Sequence, residues 1–290
     1  MCIASVMAIV DGEAGSSVAM HTALRVGEAF NAYTALIQVL PPLTAYSPMC
    51  HEVKEQQVVD RLQTNALVLH ERQRERFQHL YEDAVVKQGI LSIAGSGQLT
   101  TTMFSATKLM VTGHENQEVA NRGRLFDIIV LPPASEIAGG AKNATLEAAL
   151  LDTGRPVLIA SRETQFKIGQ HVTIAWDGSR HAALSIRNAL PIIKRAERVD
   201  IVHAACGEIP TNSIESVADY LHLHGILAHP QEFRSGDKHP SDILIKSAIE
   251  NDSAIIVMGA HGISEDNDSA CGSVTQRLIE HSPVPVFLSH

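Results

Sequence analysis

The sequence has few aromatic residues, few cysteines and no long apolar run. Phe, Trp and Tyr make up 4% of the 290 residues, and the four cysteines form neither a CxxC pair nor a metal-ligand spacing. Scattered cysteines of this kind are typical of reduced thiols, so we expect a cytoplasmic protein. Because no uninterrupted apolar run reaches the roughly 18 residues of a membrane-spanning helix, we expect no membrane association.

Basic charge is also scarce. The chain has 23 lysines and arginines against 32 aspartates and glutamates, a formal net charge of −9. The arginines at 71–76 alternate with glutamates and lack interleaved aromatics, a pattern typical of a solvated helix face. We therefore expect no nucleic-acid partner. The apolar run at the N-terminus lacks the basic n-region of a signal peptide, and Asp11 ends the run early. We therefore expect a first strand here and no export signal.

The sequence does contain short apolar runs that alternate with helical periodicity. Such runs predict strands buried on both faces of a parallel sheet, at 3–10, 35–40, 127–131, 156–160, 171–175, 199–203, 254–258 and 285–289. Helices are predicted at 17–31, 52–87 and 180–195, and the second of these has an apolar face running from Val59 through Leu62 and Leu69 to Ala84. This alternation indicates an α/β fold.

The two halves of the chain resemble each other. Residues 127–132 align with 254–259, and 146–159 align with 275–288. In each half a helix leads to a strand that begins at a proline, where a missing N–H is tolerated. An internal duplication explains the likeness. We expect two tandem Rossmann-like domains, 1–161 and 170–290, joined by a polar linker, each an open parallel sheet with helices on both faces.

Glycines at a fixed spacing follow one of the predicted strands. Gly259 ends that strand and Gly262 comes soon after, while Gly272 and Ser273 precede a helix expected to begin near Val274. Glycines here permit positive φ and let phosphates approach backbone N–H groups. Ser273 is suited to cap the helix or to contact an anion at its N-terminus. Open α/β sheets place ligands at such strand ends.

This segment resembles the G-x2-G-x9-G-[S/T] signature of the universal stress protein family, with every fixed position occupied. The stretches 174–179 and 273–288 resemble that family's first strand and its closing helix and strand. The resemblance implies a tandem member with nucleotide α-hydrolase-like domains that binds ATP or another adenine nucleotide, ADP or AMP, with or without Mg²⁺. Carried over to this sequence, the binding residues would be Asp177, Ala204, Gly259, Gly262, Gly272 and Ser273.

Within that resemblance, Asp177 would lie beside the nucleoside and the backbone of Ala204 beside the adenine edge. The glycines and Ser273 would surround the phosphates and the ribose. Other interpretations of these residues remain open. Asp177 is also suited to an Asx-turn within Asp-Gly-Ser, and Gly259 and Gly262 to turns that bind no ligand.

The loop between the glycines departs from a simple phosphate site. Carboxylates at 265, 266 and 268 would repel polyphosphate unless a divalent ion intervened, so a solvated acidic loop and a metal role are both open. His261 is either exposed or a phosphate contact. His222 and His224, two residues apart on a predicted helix, would point to different faces, and we expect no metal site there.

The N-terminal half lacks the signature. Pro132 stands where Gly259 does, Ser135 where Gly262 does, and Asn143 near the place of Gly272. Proline removes an N–H and fixes φ, so we expect no nucleotide site in this half.

Two rival functions remain. One is a universal stress protein that binds no nucleotide and acts as an interaction or dimerisation module with an unidentified protein partner. The other is an enzyme of the related nucleotide α-hydrolase superfamily, such as an adenylating enzyme. Those enzymes usually carry S-G-G-x-D-S after the first strand, whereas Ala175-Trp-Asp-Gly-Ser-Arg stands here.

Motifs for efficient nucleotide hydrolysis are missing from the sequence. It contains neither a G-x-S-x-G elbow nor a G-x4-G-K-[ST] loop, so we expect slow ATP hydrolysis at most. As in dimers of the family, the last strands of the two domains are expected to pair with each other, since this would cover two sheet edges. A homodimer of the chain is also open.

Overall fold

The computed structural model describes residues 2–10, 14–43, 56–86, 89–92, 103–133, 140–162, 167–205, 213–234, 238–260 and 270–290. Its strands are β1 Ser5–Ile9, β2 Tyr33–Leu40, β3 Leu91–Ser92, β4 Ser105–Thr112, β5 Ile128–Leu131, β6 Val157–Ile159, β7 His171–Ala175, β8 Val199–Ala205, β9 Ala228–Arg234, β10 Ser253–Gly259 and β11 Val286–Ser289.

Its helices are α1 Ala14–Phe30, α2 Gln56–Tyr81, α3 Glu115–Gly123, α4 Gly140–Glu147, α5 Arg180–Ile193, α6 Ile214–Leu223, α7 Pro240–Glu250 and α8 Ala270–His281. Two of them, α2 and α4, continue into π-helical turns at Glu82–Val86 and Ala148–Asp152. None of the helices within the described ranges is long and apolar enough to cross a membrane.

The described strands form one sheet in the order β3-β4-β2-β1-β5-β6-β11-β10-β7-β8-β9. Each pair of neighbours is parallel except β6 and β11. Apart from the two-residue β3, both halves have the same order when their strands are counted along the chain: third, second, first, fourth, fifth. The predicted parallel α/β architecture is confirmed.

The halves join edge to edge through β6 and β11. These strands run antiparallel, with Leu158 opposite Phe287 at the centre of the pairing. Beside them, the Ser161 hydroxyl donates to the carbonyl oxygen of Pro283 at 2.5 Å. The predicted pairing of the last strands is confirmed, and it merges the two expected sheets into one. The junction covers one exposed edge of each half.

Helices cover both faces of this sheet. Buried side chains of α1, α2, α5 and α6 pack on one face, and those of α3, α4, α7 and α8 pack on the other. The strands supply alternate residues to the two layers; in β10, Val257 faces the first layer and Met258 the second. Parallel strands are joined by right-handed crossovers, and these place helices on opposite faces of the sheet where the strand order reverses. Each half therefore has two helices on each face.

The predicted apolar face of α2 is only partly buried: Ala66 and Ala84 are buried as expected, but two leucines of that face are not. Leu62 is 37% exposed and Leu69 is 45% exposed, whereas Phe77, further along, is fully buried. Periodicity marks a face that can be buried, but the tertiary structure decides whether a neighbour covers it. The arginine run on α2 is exposed as expected, and Arg74 lies 3.9 Å from Glu71.

Two strands that occupy the same place in the two halves, β4 and β9, are missing from the sequence predictions. Both lie near the outer ends of the sheet, where burial on two faces is incomplete. β9 contains Pro230 and exposed polar residues, and β4 becomes partly exposed from Lys108 onward. Neither strand therefore carries the continuous apolar run by which the inner strands are identified.

Candidate functional site

The carboxyl ends of β7, β8 and β10 meet at the point where the strand order of the C-terminal half reverses. Continuing the register of these strands places Asp177, just after β7, level with Ala204 in β8 and with Ala260, just after β10. Neighbouring strands lie about 4.8 Å apart, so these three positions form one short edge. Open α/β sheets bind ligands at such a reversal point.

Asp177 forms an Asx-turn at this edge. Its Oδ1 accepts a hydrogen bond from the Ser179 backbone N–H at 2.9 Å, and Gly178 has a φ of +80°, which glycine adopts readily. The Ser179 hydroxyl then caps α5 by accepting from the Ala182 N–H at 3.1 Å. The Asx-turn hypothesis is confirmed. The turn uses one of the two carboxylate oxygens of Asp177. Oδ2 of the exposed Asp177 makes no hydrogen bond with any described residue.

A buried histidine holds the start of this turn against β8. His203 Nδ1 lies 2.7 Å from the carbonyl oxygen of Trp176, and because a carbonyl oxygen only accepts, Nδ1 carries the proton. His203 is 6% exposed, and Trp176, the single tryptophan of the chain, is 7% exposed. Sequence reasoning missed this role because a lone histidine in an apolar strand has no spacing signal.

Gly259 is required by packing. A Cβ at this position would lie 2.5 Å from the Ala182 backbone nitrogen and 2.8 Å from His181 Cβ, both in the first turn of α5. The φ of Gly259 is not positive, so close approach of the helix explains the glycine and a left-handed conformation does not. The Ser185 hydroxyl also fastens α5 to β10, donating to the Met258 carbonyl oxygen at 2.6 Å.

Ser273 lies inside α8, not at its cap. The described part of the helix already includes Ala270, so the predicted start near Val274 is wrong. Alanine favours helix and a glycine is tolerated in a first turn, which lets the helix begin ahead of Gly272. The Ser273 hydroxyl lies 2.9 Å from His239 Nε2.

His239 is the second histidine that the sequence predictions missed. It is the N-cap of α7, where its side chain accepts from the Ser241 N–H, and Pro240 occupies the first helical position. A signal for its position was available. Proline is common at the first position of a helix, so the residue before it is a candidate cap.

These contacts lie in the C-terminal half of the chain, and this half matches a known protein family. Residues 169–290 match the model of the Universal stress protein family. The C-terminal half is a universal stress protein domain. In fold the whole chain is similar to a universal stress protein from Archaeoglobus fulgidus, with a TM-score of 0.64 and 15% identity over 98% of this chain and 97% of that one.

A functionally unknown protein from Pseudomonas aeruginosa is also similar in fold, with a TM-score of 0.55 and 12% identity over 99% of this chain and 92% of that one. At such identities the likeness concerns the fold. Both similarities span the two halves and are consistent with a tandem arrangement. No curated protein matches the sequence.

The described part of the universal stress protein domain contains most of the predicted binding residues. Asp177, Ala204 and Gly259 lie at the edge described above, and the backbone of Gly272 and Ser273 lies in the first turns of α8. Gly262, His261 and the carboxylates at 265, 266 and 268 fall in 261–269, outside the described residues.

Metal ligands do not cluster in this domain or elsewhere in the part of the chain that the structure describes. Across those ranges, no three His, Cys, Asp or Glu side chains are close enough together to hold an ion. His224 follows the last residue of α6, and its ring meets Tyr220 edge-on at 4.8 Å. Of the two histidines at 222 and 224, His224 therefore has a structural contact with an aromatic ring.

The same edge of the N-terminal half has a matching frame but a proline where the C-terminal half has a glycine. Backbone N–H groups donate to carbonyl oxygens at corresponding places in the two halves: Ile129 to Pro156 and Ile256 to Pro285, both at 3.0 Å, and Val10 to Ile37 and Trp176 to Val202, at 2.8 and 2.9 Å. This register puts Pro132 at the place of Gly259 in the universal stress protein domain. Pro132 and the following Pro133 are both buried.

Proposed function

We propose that the protein is a tandem universal stress protein that binds one adenine nucleotide, ATP, ADP or AMP, in its C-terminal domain and acts in a stress response. The observation that carries this proposal is the meeting of Asp177, Ala204 and the end of β10 at the reversal point of the strand order. It occurs in the half that matches the family and that carries the complete glycine signature.

Each described group suits one part of a nucleotide. The Oδ2 atom of Asp177 would accept from a ribose hydroxyl, and the backbone of Ala204 would lie along the adenine edge. The first N–H groups of α8 and the Ser273 hydroxyl would meet phosphate oxygens, because a helix N-terminus attracts anions. Mg²⁺ would accompany the phosphates and offset the acidic charge of the chain.

The N-terminal domain would support the site without binding a nucleotide of its own. Pro132 offers no N–H to a phosphate, and its ring fixes φ. We infer that the tandem arrangement arose by internal duplication and that the first domain then lost its site. Nucleotide in the second domain would stabilise one conformation of the chain over another, which a protein partner distinguishes.

The first test is to denature freshly purified protein and identify any released nucleotide by chromatography and mass spectrometry. We expect about one adenine nucleotide per chain, from the single intact signature. Two per chain would contradict the role given to Pro132. If none is released, Mg-ATP should still bind when added, and Trp176 next to Asp177 gives a fluorescence signal alongside calorimetry.

Asp177→Asn separates turn formation from nucleotide binding. Asparagine also forms Asx-turns, so thermal stability should not change, while loss of the carboxylate should weaken nucleotide binding about tenfold. Asp219→Asn, at an exposed aspartate on α6, is the matched control and should change neither property. Equal affinity in the Asp177→Asn and native proteins would remove Asp177 from the site.

A second candidate function is an interaction module that binds no nucleotide. One observation favours it: Asp177, Gly259 and Ser273 each have a structural partner within the protein, at Ser179, Ala182 and His239. Replacing Gly272 by leucine distinguishes the two functions. Nucleotide binding should be abolished under the first, whereas partner binding should persist under the second.

A further inference from the structure

The first turn of α5 carries an arginine and a histidine that lie next to the end of β10. The Arg180 Nε–H donates to His181 Nε2 at 3.3 Å, and a guanidinium only donates, so this nitrogen of His181 is the acceptor. The His181 ring is buried and stacks on the ring of His290, with the centroids 4.7 Å apart. A Cβ placed on Gly259 would lie 2.8 Å from His181 Cβ. His181, which packs against the candidate site, therefore holds Arg180 beside it.

The outer part of the Arg180 guanidinium remains available to a ligand. The bond to His181 uses Nε and leaves the N–H groups of both Nη atoms. Arg180 is exposed, and no carboxylate of a described residue, Asp177 included, lies within ion-pair distance of it. A guanidinium is always charged, and its planar fork of donors fits the oxygens of a phosphate. Arg180 is therefore suited to bind a phosphate group.

The register of the strands places Arg180 beyond the first phosphate of the proposed nucleotide. Ala260, just after β10, lies level with Asp177 on one side and with His290, just after β11, on the other. In the proposed site the adenine lies at β8, the ribose at Asp177 and the first phosphate at the end of β10. The next position along this edge, about 4.8 Å further, is that of His290. His290 stacks on the ring that holds Arg180, so a longer phosphate chain would extend toward the guanidinium.

The N-terminal half has no basic residue at the corresponding places. In the register that the two halves share, the first turn of α1 has Ala14 and Gly15, and Ser161 follows β6. None of these residues carries a charge. Among these places, the basic side chains therefore occur in the half that also has the complete glycine signature.

We propose that Arg180 selects a nucleoside triphosphate over a monophosphate by binding the terminal phosphate of ATP. This inference rests on the proposed nucleotide site and names the nucleotide that the site prefers. The single phosphate of AMP lies at the end of β10 and the start of α8, so Arg180 adds nothing to its binding. The terminal phosphate of ATP lies further along the edge and receives hydrogen bonds from the Nη atoms.

Arg180→Gln tests the proposal, because glutamine keeps a polar side chain and removes the charge. Arg180 is exposed, so the melting temperature without nucleotide should not change. In calorimetry, we expect the affinity for Mg-ATP to fall about tenfold, the order of one hydrogen bond to a charged group, and the affinity for AMP to change less than about twofold. Arg187→Gln, at an exposed arginine two turns later on α5, is the matched control and should change neither affinity.

The outcomes distinguish this inference from the proposed function. If the native protein binds Mg-ATP and Arg180→Gln binds it equally well, or loses affinity for AMP to the same extent, the inference is overturned and the proposed function stands. Tighter binding of AMP than of Mg-ATP by the native protein would also overturn the inference alone. If the native protein binds no adenine nucleotide, the proposed function fails and the inference fails with it.

Discussion

The two halves of this protein share strand order and backbone register but differ at the edge where a ligand would bind. In the C-terminal half, the Asp177 turn, Gly259 and the His239–Ser273 pair surround that edge. In the N-terminal half, Pro132 and a second buried proline end the corresponding strand. The comparison teaches that one backbone frame can carry different residues at the reversal point, and we propose that these residues decide which half binds a ligand.

The junction between the halves offers the strongest way to break this comparison. Phe287 is 1% exposed and lies in the antiparallel pair that joins the two sheets. Phe287→Ala should lower the free energy of unfolding by about 3–5 kcal/mol, because it removes a large buried side chain and leaves a cavity. Chemical denaturation measures the loss, and hydrogen exchange in β5 tests whether it reaches the N-terminal half.

Phe233→Ala is the matched control at the outer end of the same sheet. Phe233 is 37% exposed, so its truncation should cost less than about 1.5 kcal/mol. Equal losses in the two variants would mean that the junction is not part of a shared core.

Gly259→Ala sharpens the comparison at the site itself. The new Cβ would meet the backbone of α5, which cannot move aside as a side chain can, so we expect a loss of about 1–3 kcal/mol in the free energy of unfolding. In Gly113→Ala, the control, the Cβ would meet Glu118 Oε1 at 3.1 Å, the end of a flexible side chain. If Gly259→Ala were as stable as this control, packing would not explain the glycine.

The smallest effect is expected from pH in the N-terminal half. Burial on α2, and secondarily the positive charge of Arg74, lower the pKa of His70 below its usual 6.5. The unfolded chain therefore binds this proton more readily than the folded one. The contribution to stability is complete above pH 6.5 and is lost progressively as the pH falls toward the folded-state pKa.

Unfolding measured at pH 7 and pH 5 should thus differ less in His70→Gln than in the native protein. His79→Gln, at an exposed histidine of the same helix, is the control and should leave the difference unchanged. An unchanged difference in His70→Gln as well would mean that other groups cause the acid sensitivity.

Much of the fold is predictable from particular runs of the sequence. The inner strands bury both faces and so need continuous apolar residues, as at 254–258, where the structure has β10. Strands β4 and β9 escape prediction because they lie near the outer ends of the sheet, where their two faces are incompletely buried. The start of α8 escapes it too, because the same glycine suits both a loop and a first helical turn.

The candidate site is predictable to a smaller extent. The glycine spacing and the aspartate after the first strand of the C-terminal half indicated Asp177 and Gly259 directly. The contacts of His203 and His239 could not be found in this way, since each is made with a residue far away in the sequence, Trp176 and Ser273. Contacts of this kind depend on which helices and strands become neighbours.

By itself the sequence determined the parallel α/β class, the likeness of the halves and the contrast between Gly259 and Pro132, because each follows from local apolar runs and spacing. The tertiary structure decided that the halves form one sheet, that Gly259 is required by contact with α5, and that Ser273 is held by His239. Those outcomes depend on distances between segments far apart in the chain, which local patterns do not encode.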